Sequence, residues 1–189
     1  MELDLVTGLL VGARYVPSLN ADERPAGAYP EVLVIHAISL PPGRYGGQDI
    51  ERFFCNRLAR DADPYYAQIA GLEVSAHFLV RRDGELVQFV PTSHRAWHAG
   101  PSWCEGRARV NDFSIGIELE GTDVEPFEPV QYQRLAELAA ALMRAYPAIS
   151  RRRIYGHEDI APGRKTDPGT GFNWTRFLSL LPDETAMTA

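Results

Sequence analysis

The run Val32-Leu33-Val34-Ile35, leading straight into His36, most constrains how this chain can fold. Four successive apolar residues, three of them β-branched, leave the segment no polar side to turn toward water. Such a strand must be covered on both faces, which calls for a sheet layered between helices and loops. The chain has 189 residues, 45% hydrophobic and 10% aromatic, enough for one domain with a core of its own. The expected fold is therefore α/β (α+β): a single domain with a central mixed β-sheet and helices on its flanks.

The remaining elements follow from periodicity and turn chemistry. Asp83-Gly84, between Ala76–Arg81 and Leu86–Val90, predicts a hairpin. In Ser114–Glu120 the apolar Ile115, Ile117 and Leu119 alternate with Gly116, Glu118 and Glu120, as in a strand with one apolar face. Pro129 suits the first turn of a helix, and Tyr132, Leu135, Leu138, Ala139, Leu142, Met143 and Tyr146 continue it at helical spacing. Asp49 is read as the cap of a helix reaching about Ala59, and Asn173 as the cap of one ending near Leu181. Residues 17–30, rich in proline, glycine and charge, read as an irregular loop, 30–181 as the core of the domain and 182–189 as a frayed tail.

A net charge of −6 argues against nonspecific nucleic-acid binding, which needs a basic face. The two cysteines, Cys55 and Cys104, form no CxxC pair and suit a reducing compartment. The opening MELDLVTGLLVGARY puts acids ahead of its apolar stretch, unlike a secretory signal, and that stretch is too short for a membrane span. The expectation is a cytoplasmic monomer whose partner is a small molecule, with no nucleic acid and no membrane.

Chemistry concentrates in Gly156–Gly169, GHEDIAPGRKTDPG, where polar residues and turn signals replace apolar periodicity. If this segment folds back on itself, His157, Lys165 and Asp167 converge. His36, leaving a buried strand where a loop begins, would bring a second imidazole. Two imidazoles and one carboxylate suit zinc with a fourth position open for water, and are too rich in nitrogen for calcium or magnesium. Spacing alone also allows a hydrogen-bonded core histidine and a loop staple. A zincin HExxH helix begins at His157-Glu158 but fails at Ala161, where the second histidine should stand. An iron site of two histidines and a carboxylate has its pair in His157 and Asp159, but no histidine follows.

Several motifs in order resemble the cytoplasmic zinc amidases of AmpD type, which act on anhydro-N-acetylmuramyl-L-alanine and share their fold with peptidoglycan recognition proteins. They are Val34-Ile35-His36 with Ile38-Ser39-Leu40-Pro41-Pro42-Gly43, Val74-Ser75-Ala76-His77-Phe78-Leu79 and Arg95-Ala96-Trp97-His98-Ala99-Gly100. They continue through the stretch from Asn111 to Asp123, Asp159-Ile160-Ala161-Pro162, and Arg164-Lys165-Thr166-Asp167-Pro168-Gly169. The resemblance implies one zinc ion on His36, His157 and Asp167, with Glu118 and Lys165 as catalytic residues. It chooses Glu118 over Glu120, which alternation cannot. Asp167, where related phage amidases carry cysteine, favours the branch that recycles wall fragments. The implied substrate is a small anhydromuropeptide, cleaved between the lactyl group and L-alanine.

Trp97 and His98 are candidates for a platform and a polar contact to the sugar, and Arg109 for a carboxylate of the stem peptide. His77, inside a strand pattern, is expected in the pocket wall; His94 has no role. Ala37 stands where the family often has asparagine, and Glu73 where some relatives carry a cation, so affinity or peptide selectivity would differ. A binding module that has lost its metal, and an exported amidase of polymeric wall, are the rival readings.

Overall fold

The computed structural model describes residues 1–182. In chain order, β1 (Leu3–Asp4) and β2 (Leu9–Leu10) form a small ribbon, followed by β3 (Arg14–Tyr15) and β4 (Ala21–Glu23). Then come β5 (Val32–Ile38), the short helices α1 (Asp49–Phe54) and α2 (Tyr66–Ile69), and β6 (Phe78–Val80) with β7 (Leu86–Gln88). After β8 (His94–Ala96), β9 (Trp103–Cys104) and β10 (Arg107–Ala108) the chain enters β11 (Ser114–Glu120) and α3 (Pro129–Ala145). It ends with β12 (Ile154–Gly156), α4 (His157–Ile160) and α5 (Trp174–Leu180).

Six strands form the central sheet in the order β12-β5-β11-β6-β7-β3. All pairs are parallel except the β6–β7 hairpin, so the sheet is mixed, as expected. Gly84 (φ +87°) turns that hairpin. Leu33, Ile35, Ile115, Ile117, Phe78 and Val80 face one side and pack with Leu135, Leu138 and Leu142 of α3. Each leucine fully buried there contributes about 1.5–3 kcal/mol. On the opposite side Val32 and Val34 meet Val110, Phe113 and Ile160, which explains the uninterrupted apolar run.

Helix α3 starts where Pro129 predicted, with Gln131 Oε1 accepting the Glu128 N–H at 3.0 Å. The buried Gln131 amide also donates to the carbonyls of Val80 and Glu120, pinning the helix to two strand ends. Asn173 caps α5 by accepting the Arg176 N–H at 2.8 Å.

Four expectations need correction. Helix α1 stops at Phe54 rather than near Ala59, because Asn56 takes a left-handed conformation (φ 57°), and Gln48, not Asp49, is its cap. The loop 17–30 contains a strand, β4, ordered by antiparallel pairing with β8. Leu3, Leu10 and the sheet-edge strand β3 place part of the core before residue 30. Strand β11 has no solvated face: all its residues are buried. Of the expected tail, 183–189 lies outside the described residues. No helix among the described residues is long and apolar enough to cross a membrane.

Candidate metal centre

Three neighbouring parallel strands place the key side chains. In the β5–β11 ladder His36 stands opposite Glu118. In the β12–β5 ladder Gly156 stands opposite Ile35, so His157, the next residue, falls level with His36. His36 is not at the strand end, as its position before a loop suggested, but two residues inside it. The loop after α4 folds back: the Glu158 N–H donates to the Asp167 carbonyl at 2.9 Å, setting Asp167 against His157. Gly163 (φ 76°) makes the bend, and the Ala161 carbonyl accepts the N–H groups of Arg164 and Lys165.

His36 Nδ1, His157 Nδ1 and Asp167 Oδ2 converge at mutual distances of 2.9, 3.1 and 3.2 Å. Both imidazoles are buried, and burial, against the upward pull of Asp167, pushes the His36 pKa down to about 4. Burial alone would raise the Asp167 carboxyl, but hydrogen bonds to His157 and His36 outweigh it and hold it well below the usual range. Two imidazoles and a carboxylate aimed at one point are a donor set compatible with a metal ion.

Each ring is held from behind. His157 Nε2 lies 3.2 Å from the Ala99 carbonyl, and His36 Nε2 lies 3.0 Å from His98 Nδ1. Asp159 Oδ2 accepts the Gly156 N–H, at the passage from β12 into α4.

These groups border a cavity of about 540 Å³, whose wall also includes Glu118, Lys165 and Trp97. Its size is in the range of small-molecule sites. Glu118 is 8% exposed, and its Oε2 is buried without a hydrogen-bond partner. Burial first, then the Asp167 charge, raise its pKa well above the ordinary carboxylate range, with Lys165 opposing. Glu120 differs: its carboxylate accepts the N–H groups of Gly46 and Arg82 and pairs with Arg81. The two glutamates that the sequence could not separate are thus one unsatisfied and one fully engaged.

Residues 26–170 match the N-acetylmuramoyl-L-alanine amidase family. The chain belongs to that family. It is 55% identical to the 1,6-anhydro-N-acetylmuramyl-L-alanine amidase AmpD of Escherichia coli (strain K12), over 96% of this chain and 98% of the relative. The crystal structure of a Se-Met AmpD derivative superposes with a TM-score of 0.93 at 54% identity, covering 96% of this chain and all of that one. A complex of the Escherichia coli amidase AmiD with the substrate anhydro-N-acetylmuramic acid-L-Ala-D-gamma-Glu-L-Lys is also similar. Its TM-score is 0.58 at 34% identity, with 86% of this chain and 64% of that one covered.

The other residues singled out from the sequence divide. Trp97 lines the cavity and donates its indole N–H to Asp22 at 3.1 Å. His98 also borders the cavity, but both its ring nitrogens have protein partners. His77 is fully buried outside the cavity wall, where it accepts the Gly116 N–H at 3.0 Å and meets the half-buried Arg24. Arg109 is not brought to the cavity: its side chain is exposed and pairs with Asp112 at 3.1 Å. Sequence reasoning missed Ser114, Asn111 and the Ala99 carbonyl, which steady the imidazoles. The carbonyl has no sequence signature, while Asn111 and Ser114 lie within a motif already noted.

Proposed function

We propose that this chain is a zinc-dependent amidase that cleaves the bond between the lactyl group of an anhydro-N-acetylmuramyl sugar and L-alanine in muropeptides. One observation carries the reading. Glu118, one of whose oxygens is buried without a partner, lines the same cavity as the converging His36, His157 and Asp167. Buried carboxylate oxygens are otherwise almost always hydrogen-bonded. The donor spacing of 2.9–3.2 Å is close to the edge of about 3.3 Å that a tetrahedron of zinc–nitrogen bonds of about 2.0–2.1 Å implies. With a cation bound at the focus, both Nδ1 atoms would turn their lone pairs toward it.

Zinc held there supplies an acidified water and a Lewis acid for the scissile carbonyl. Glu118 accepts the proton of the attacking water and delivers it to the departing amine of L-alanine. Its raised pKa suits a group that must hold that proton between the two transfers. Lys165, on the cavity wall beside Asp167, stabilises the oxyanion that develops on the former carbonyl. Trp97, fixed by Asp22, offers a rigid apolar wall for the sugar. AmpD acts on 1,6-anhydro-N-acetylmuramyl-L-alanine by its name, and the near full-length likeness supports the same bond here. Cytoplasmic recycling of wall fragments is part of this reading, supported by the free Cys55 and Cys104.

The test is hydrolysis of a defined anhydromuropeptide by purified protein, with and without a chelator, followed by mass spectrometry. Peptide release that stops on chelation and returns with zinc is expected. Metal-replete protein that binds the muropeptide without releasing peptide would favour a binding module instead.

A further inference from the structure

We propose that His98 is a positioning residue for the metal ligand His36, holding its tautomer and ring plane, rather than a contact for the sugar. The inference rests on the metal part of the proposed function. His36 turns Nδ1 to the ligand focus, so a neutral ring carries its single proton on Nε2. That nitrogen lies 3.0 Å from His98 Nδ1, the acceptor this arrangement requires. His98 then carries its own proton on Nε2, which lies 3.0 Å from Ser114 Oγ. Neither nitrogen of His98 is left for substrate.

The ring is also held by shape. A Cβ on Gly116 would overlap the His98 ring, so the imidazole rests directly on the β11 backbone. The two rings meet edge to face, with centroids 5.1 Å apart. From the main-chain side, Asn111 Oδ1 accepts the N–H groups of His98 and Ala99 at 3.2 and 2.8 Å. The Ala99 carbonyl in turn faces His157 Nε2. One short segment therefore braces both imidazoles: His98 with its side chain, Ala99 with its carbonyl. Partners of this kind set ligand orientation and commonly account for 10–100-fold in metal affinity.

The experiment measures zinc Kd by chelator competition for wild type, His98→Leu, His98→Gln and Ser114→Ala, with KM and kcat of the zinc-saturated proteins alongside. His98→Leu should raise the zinc Kd by about 10–100-fold. His98→Gln, whose amide can accept from His36 and donate to Ser114, should recover most of it. Ser114→Ala should weaken zinc binding by a smaller factor; Ser114 is fully buried and outside the cavity wall, so it cannot act through substrate. It also keeps the test open should His98→Leu fail to fold by circular dichroism. Unchanged zinc Kd in the variants, with KM raised in the His98 proteins, would overturn the inference and restore the sugar contact. The Kd ratio decides the matter whether or not muropeptide is cleaved. A wild type that binds zinc but cleaves nothing sinks the amidase reading alone, and one that binds no zinc sinks both.

Discussion

The two faces of β11 are equally buried but composed very differently. On one, Ile115, Ile117 and Leu119 pack into the main core with α3. On the other, Ser114 meets His98, Gly116 lies beneath the His98 ring, Glu118 faces the cavity, and Glu120 is bonded to Gly46, Arg82 and Arg81. Both are covered by the rest of the protein, with the cavity reaching only Glu118, so the polar side cannot be explained as an open solvated surface. Burying polar groups is costly unless each finds a partner. Three of the four positions on this face are satisfied by protein, and only Glu118 is not. Apolar packing builds the platform on one side, and the side chains directed to chemistry stand on the other.

The comparison can be broken at four points, in order of decreasing effect. His157→Ala removes one of three converging donors; bound metal, read by elemental analysis, and muropeptide hydrolysis should both fall to background. Glu118→Ala should keep its metal and lose about 10²–10⁴-fold in turnover, the usual worth of a positioned general base. Near-normal turnover in that variant would show the base assignment to be wrong. Gly116→Ala adds one methyl group against the His98 ring. Overpacking of this kind costs about 1–3 kcal/mol in denaturant unfolding, and metal affinity should fall with it. Ile117→Val removes one methyl group from the opposite face and should cost only about 0.5–1.5 kcal/mol, with metal affinity and turnover unchanged. If Ile117→Val weakened metal binding as much as Gly116→Ala, the two faces would not be separable.

Much of this contrast was legible in the sequence, but unevenly. The alternation of Ser114–Glu120 gave the strand, and helical spacing after Pro129 gave α3, because local periodicity reports which positions share a face. What periodicity could not report was that the polar face is buried too, since that depends on β8 and the loops packed over it. The paired-carboxylate ambiguity had the same origin: Glu118 and Glu120 differ only through distant partners, Gly46 and Arg82 among them. Residue type and position already grouped His36, His157 and Asp167 as one possible donor set. Family likeness chose that reading over a core histidine and a loop staple, and the register of β12, β5 and β11 brings the two imidazoles level. The groups behind the ligands were invisible for a simple reason. A backbone carbonyl such as that of Ala99 carries no residue-type signal, and the role of Ser114 exists only once His98 lies across β11. The strand hidden in 17–30 and the early stop of α1 were likewise decided by pairing with β8 and by the left-handed Asn56.

The parallel pairing of three strands from distant parts of the chain has a consequence for synthesis. His36 precedes His157 by 121 residues and Asp167 by 131. A chain emerging from the ribosome therefore holds only His36 of the three converging side chains until residue 157 has been added. It completes the ligand set only after β5, β11 and β12 have all appeared. Capture of the proposed ion would thus wait for residue 167 and could not be mimicked by a fragment that stops before it.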